Sequence, residues 1–116
     1  MAKVNLGQEP NMVEREVKGA FGNFFILIRT PSVVERARIR NLLIHGQWDE
    51  LSILRHHLVQ GWREMLGTDD QPIAFNDQNY ERVCACNPSI EQAITSTVAA
   101  FLDEDLTAVA AAAVTG

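Results

Sequence analysis

The run Phe24-Phe25-Ile26-Leu27-Ile28 is the feature that most limits what this chain can become. It is short, aromatic and β-branched, which reads as a strand buried in a core. It falls far short of the roughly 20 apolar residues that a membrane helix needs. A buried strand requires a partner for its backbone N–H and C=O groups. The nearest candidate lies upstream, from Val13 to Ala20, where Val13 and Val17 alternate with charged residues. Phe21-Gly22-Asn23 supplies turn chemistry between the two. After a polar leader, the chain is therefore predicted to open on a β-hairpin.

Downstream the apolar spacing changes to three and four residues, the period of helices. Pro31 suits a first helical position, because its missing N–H would be unpaired there anyway. Ser32 and Glu35 have the spacing of a capping box, which would start the helix two residues later. This helix runs to Ile44, and His45-Gly46 ends it. Val33, Val34, Ala37 and Ile44 share one side of it, while Ile39, Leu42 and Leu43 fall on another, so contacts on two faces are expected. A second helix is predicted from Trp48 to Leu66, on the stripe Leu51, Leu54, Leu58, Trp62 and Met65. Residues 67–72 form a turn that folds the chain back. Asn76 caps a third helix, with Phe75 and Tyr80 at the positions of a hydrophobic staple. Asn87-Pro88 closes that helix and opens a fourth, with Ile90, Ala93, Ile94, Val98, Phe101 and Leu102 as its apolar stripe. Asp103-Glu104-Asp105 suits the start of a last short helix, since acids favour a helix N-terminus.

The expected fold class is α+β, mostly α: an N-terminal β-hairpin followed by four or five helices. Residues 1–12 are expected to be a flexible leader, 13–102 a single globular domain, and 103–116 a C-terminal helix or frayed tail. Trp62, Phe75, Tyr80 and Pro88 are its expected structural anchors, the three aromatics meeting across the turn at 67–72.

Fifteen acidic residues against ten basic ones give a net charge of −5, which disfavours broad nucleic-acid binding through phosphate neutralisation. The opening MAKVNLGQEPN lacks the apolar core of a signal peptide, so a cytosolic protein with reduced Cys84 and Cys86 is expected. Those cysteines are two residues apart, and on a helix they point about 200° apart, which rules out a shared metal or a mutual disulfide there. His45, His56 and His57 match no metal-motif spacing and read as solvated surface residues. Arg29, Arg36, Arg38 and Arg40 form a basic patch in which Arg36 and Arg40 share a helix face. Its plainest reading is a solvated or salt-bridged face, and its functional reading is a contact with an acidic surface. No phosphate-binding glycine loop, nucleophile elbow or cofactor fingerprint is present, so no catalytic residue, cofactor or metal is expected.

One likeness spans about residues 24–102. Val59-Gln60-Gly61-Trp62, Asp69-Asp70, Pro72-Ile73-Ala74-Phe75-Asn76, Asn79-Tyr80, Asn87-Pro88-Ser89-Ile90 and Ala93-Ile94 together resemble the small tail assembly chaperones of long-tailed bacteriophages. The chain departs from that pattern at Gln71, where a Gly usually precedes the Pro, and at Arg63-Glu64-Met65-Leu66, where a shorter turn is usual. The resemblance implies a non-enzymatic, mostly helical, self-associating protein. It would bind the tape-measure protein and keep it soluble in the host cytoplasm until tail-tube subunits replace it, and it would be absent from the finished virion. The tail-tube protein is a further implied partner; membrane and nucleic acid are not. The surface expected to meet the partner is the helix from Pro31 to Ile44, through Val34, Ile39, Leu42, Leu43, Arg36 and Arg40. The alternative is a small regulatory or adaptor module that uses the Arg29–Arg40 region on nucleic acid or on an acidic protein.

Overall fold

A computed structural model describes residues 11–115, with side chains through residue 108. All but the last two residues of the expected leader lie outside the described residues. Strand β1 (Met12–Gly19) pairs antiparallel with β2 (Gly22–Arg29), in a register running from Met12 opposite Arg29 to Gly19 opposite Gly22. The turn is Ala20-Phe21, tighter than the expected Phe21-Gly22-Asn23. Gly22 makes this possible by adopting a φ of 104°, a conformation that side-chain-bearing residues avoid.

Helix α1 (Val33–Ile44) begins on the capping box: Ser32 Oγ accepts from the Glu35 N–H at 3.2 Å, and the Glu35 carboxylate accepts from the Ser32 N–H at 2.8 Å. It ends at His45, with Gly46 in a left-handed turn at φ 63°. Helix α2 (Trp48–His57) then stops nine residues before the expected end. Val59–Arg63 instead forms β3, which pairs antiparallel with β2 and completes a sheet of order β1-β2-β3. The reason is backbone demand. The buried β2 has a second edge to satisfy, and Gly61 weakens helix continuation in the segment that satisfies it. Trp62 opposite Ile26 and Gly61 opposite Leu27 hold the register, with a bulge between Leu27 and Ile28. Trp62 thus belongs to a strand rather than to a helix.

The chain returns through residues 64–75, where the Gly67 N–H donates to the Gln71 carbonyl at 2.9 Å and the Ile73 N–H to the Met65 carbonyl at 2.8 Å. Helix α3 (Asp77–Cys86) starts on Asn76, whose side chain accepts from the Asn79 N–H at 2.8 Å. The staple forms as expected, with the Phe75 and Tyr80 rings 5.7 Å apart. Helix α4 (Pro88–Thr115) is continuous, so the separate helix expected from Asp103 does not exist. Nothing interrupts it, since neither Gly nor Pro occurs between Ser89 and Thr115. Its acids find partners elsewhere: Glu104 takes Arg15 of β1 at 3.0 Å, and Asp105 takes Arg36 of α1 at 2.9 Å.

The fold is therefore α+β and mostly α, with the third strand inserted between the second and third helices. The core lies between the inner face of the sheet (Val17, Phe24, Ile26, Ile28) and the helices that cover it (Ile39, Leu42, Leu51, Ile94, Val98, Phe101). The outer sheet face carries Glu14, Phe25 and Arg63. There the Arg63 guanidinium lies 3.8 Å above the Phe25 ring and is held by Glu14 at 2.7 Å.

Candidate partner-binding surface

Helix α1 presents two unlike faces. At about 100° per residue, Ile39 and Leu42 point one way and Val33, Ala37, Ile44 and Val34 the other. The first pair is core, at 1% and 2% exposure, so neither residue can meet a partner, contrary to expectation. The capping box decides this orientation. It turns Glu35 toward Arg29 at the end of β2 and so swings Val33 and Val34 to the outside. Val33 and Val34 are 78% exposed and Ile44 is 73% exposed, while Leu43 sits at the border. Trp48, two residues beyond the Gly46 turn, is also largely exposed. Of the expected contacts, Val34, Leu43 and Arg40 are accessible, and Val33 and Ile44 join them. Helical spacing grouped these with Val34; only burial separates the free side from the core side.

The four arginines do not act as one patch. Arg29 grips Glu35 through two hydrogen bonds of 2.7 and 2.8 Å, and this holds the Glu35 carboxyl down to a pKa of about 2. Arg36 grips Asp105 in the same two-pronged manner, at 2.9 and 3.0 Å. Both pairs are part-buried, and the carboxylates raise the arginines further above their ordinary range. Arg38 reaches Glu50 at 3.4 Å with both side chains exposed. Arg36, expected at the partner surface, is thus a tie between α1 and α4. Arg40 stands exposed on the outer side of α1.

The expected aromatic anchors do meet. The Trp62 and Phe75 rings pack edge to face with centroids 5.0 Å apart, Tyr80 lies 6.0 Å from Trp62, and Trp62 Nε1–H donates to the Ile73 carbonyl at 2.7 Å. Trp62 remains half-buried, and Pro88 is exposed, so Pro88 serves by opening α4 rather than by packing. Beside the cluster is a groove of about 790 Å³ between α2 and α3, walled by Ile53, Val59, Phe75 and Tyr80.

His56 is not the solvated residue expected. Its ring links three helices: Nδ1 meets the Tyr80 hydroxyl, and Nε2 meets Glu91 at 3.0 Å, with Thr95 donating to the same carboxylate at 3.1 Å. Tyr80 O–H donating to Nδ1 and Nε2–H donating to Glu91 satisfy every group. No local spacing in the sequence could reveal this, because the partners are 24 and 35 residues away. A carboxylate, an imidazole and a phenol in a row have the layout of a proton relay. Burial, then Cys84 and Glu91, push the Tyr80 phenol up, and burial with Glu91 pushes the Cys84 thiol up. Both stay in the protonated, weakly nucleophilic form. In the fold the cluster ties α2, α3 and α4 together.

Cys86 is exposed and Cys84 half-buried, and among the described residues no group of three His, Cys, Asp or Glu side chains could hold a metal ion. No helix among them is long and apolar enough to cross a membrane. No family model matches the chain, and comparison with curated proteins and with solved structures gives no match.

Proposed function

We propose that this protein is a non-enzymatic tail assembly chaperone that binds the helical tape-measure protein through the outer face of α1. The observation that carries this reading is the exposure of Val33, Val34 and Ile44 on a helix whose opposite side is firmly packed in the core. Isolated surface aliphatics are ordinary, but three on one helical face, with Trp48 close in the chain, form the kind of surface that marks a protein contact. A helix-shaped partner would supply apolar residues at i, i+3, i+4 and i+7 against it. The resemblance over residues 24–102 supports the class. In this reading the chaperone works in the bacterial cytoplasm, associates with itself, yields the tape measure to tail-tube subunits, and does not remain in the virion.

The pairing of Arg29 with Glu35 and of Arg36 with Asp105 counts against the nucleic-acid alternative, since it leaves fewer free cations for phosphates. The deciding experiment is co-expression with a tape-measure fragment, followed by sizing at low and high salt. The fragment should become soluble and co-elute, and the complex should survive salt, since screening weakens charge contacts but leaves apolar burial intact. A monomer that leaves the fragment insoluble, yet shifts DNA at low salt, would reverse the choice.

A further inference from the structure

The outer face of α1 also carries a charge pattern. Val33, Ile44, Ala37 and Val34 span about 100° of the helix, with Arg40 about 20° beyond one border and Arg38 about 40° beyond the other. The only carboxylate of α1, Glu35, is turned away to Arg29. Arg38 holds Glu50 only at 3.4 Å, with side chains 62% and 55% exposed, a pair that solvent and new ligands readily displace. A mainly apolar stripe about 16 Å long, interrupted by the exposed amide of Asn41, therefore runs between two cationic borders and presents no anion of its own helix.

We infer that the occupant of this face is an amphipathic helix whose apolar stripe is bordered by Asp or Glu; the inference rests on the reading of α1 as the partner surface. A second copy laid α1 against α1 is the weaker occupant. It would bring Arg38 and Arg40 of both chains together with no carboxylate from either helix, and like charges across a contact suppress pairing. The net charge of −5 acts on a partner here only through nearby acids such as Glu50, since charges beyond roughly 8–10 Å are screened at ordinary ionic strength, and a partner carboxylate would have to displace Glu50 from Arg38.

The test uses three synthetic amphipathic helices with one common leucine stripe and borders of Glu, Gln or Lys, titrated against the full chain by fluorescence anisotropy. The Glu-bordered peptide should bind about five- to tenfold more tightly than the Lys-bordered one, as expected for two exposed charge pairs. High salt should shrink that gap. Arg38→Glu with Arg40→Glu should invert the order, and Val34→Asp should weaken all three while leaving the helical circular dichroism intact. Equal affinity for the Glu and Lys peptides overturns the inference. So does a result in which no peptide binds and Val34→Asp turns a self-associated species into a monomer, which would make a second copy the occupant. A tape-measure fragment run in parallel separates the two claims. If it binds equally well to the charge-reversed variant, the charge rule falls and the chaperone reading stands. If the Glu peptide binds and the fragment does not, the charge rule stands and the chaperone reading falls.

Discussion

Arg36 of α1 and Asp105 of α4 are joined by two parallel hydrogen bonds, across 69 residues of sequence. This pair ties α1 to α4, in addition to the core packing of Ile39 and Leu42 that turns its outer face to solvent. It also helps keep α4 packed beyond Leu102, since Asp105 and the neighbouring Leu106 both belong to the folded body. Replacing Asp105 with Asn keeps the shape and removes the charge. The expected cost is about 1 kcal/mol, since the part-buried Arg36 guanidinium would keep only a neutral acceptor. Hydrogen exchange should quicken in the amides around residues 103–108. Unchanged protection there would mean that the pair contributes little.

Trp62 ties β3 to the returning segment through its indole N–H and its ring. Trp62→Phe should cost about 1 kcal/mol for the lost bond to the Ile73 carbonyl. Trp62→Ala should cost about 3 kcal/mol or more, because the edge contact with Phe75 and the packing against Tyr80 go as well. Urea unfolding of both variants checks the order. An alanine variant as stable as the phenylalanine one would move Trp62 from anchor to partner contact.

The Arg29–Glu35 pair gives stability a defined acid dependence. The Glu35 carboxyl is held at about 2 in the folded chain, against an ordinary 4.5, chiefly by the hydrogen bond from Arg29. A lowered folded value means that the stabilisation is complete above about 4.5 and is lost as the pH falls toward 2. Its size should be about 1 kcal/mol for a partly solvated pair. Glu35→Gln should therefore lower the urea midpoint at neutral pH and converge with the wild type near the acid limit. A gap that persists in acid would assign the effect to the capping box instead.

His56 and Tyr80 should behave as one structural unit. His56→Ala and Tyr80→Phe should each destabilise by about 1 kcal/mol, and the double variant by clearly less than the sum, because each change removes the same bond. Additive losses would show that the two side chains act separately.

The legible parts of this fold were those written in local chemistry. Ser32 with Glu35, Asn76 with Phe75 and Tyr80, and Asn87-Pro88 each marked a helix boundary within a few residues, because caps and staples are satisfied inside one turn. The β3 strand was hidden because Leu58, Trp62 and Met65 fall at helical spacing, while the demand that pulls the segment into a strand comes from β2, thirty-odd residues upstream. On α1 the sequence showed two apolar sides but not which of them was free. That choice depends on Arg29 and Asp105, one from each end of the chain, meeting Glu35 and Arg36. The His56 cluster was illegible for the same reason.

The sharpest functional prediction compares two residues eight positions apart on α1. Val34 lies on the outer side at 78% exposure and Leu42 in the core at 2%. Leu42→Asp buries a carboxylate with no partner and should unfold the chain, as circular dichroism and sizing would report. Val34→Asp places the same charge in solvent, so it should cost no more than about 0.5 kcal/mol of stability. It should nevertheless leave a co-expressed tape-measure fragment insoluble, because a charge set in the middle of an apolar contact must be desolvated for the partner to bind. Arg40→Ala, at the border of the same face, should fold normally and weaken capture only at low salt. A Val34→Asp variant that folds and still solubilises the fragment would remove α1 from the interface and direct the search to the groove between α2 and α3.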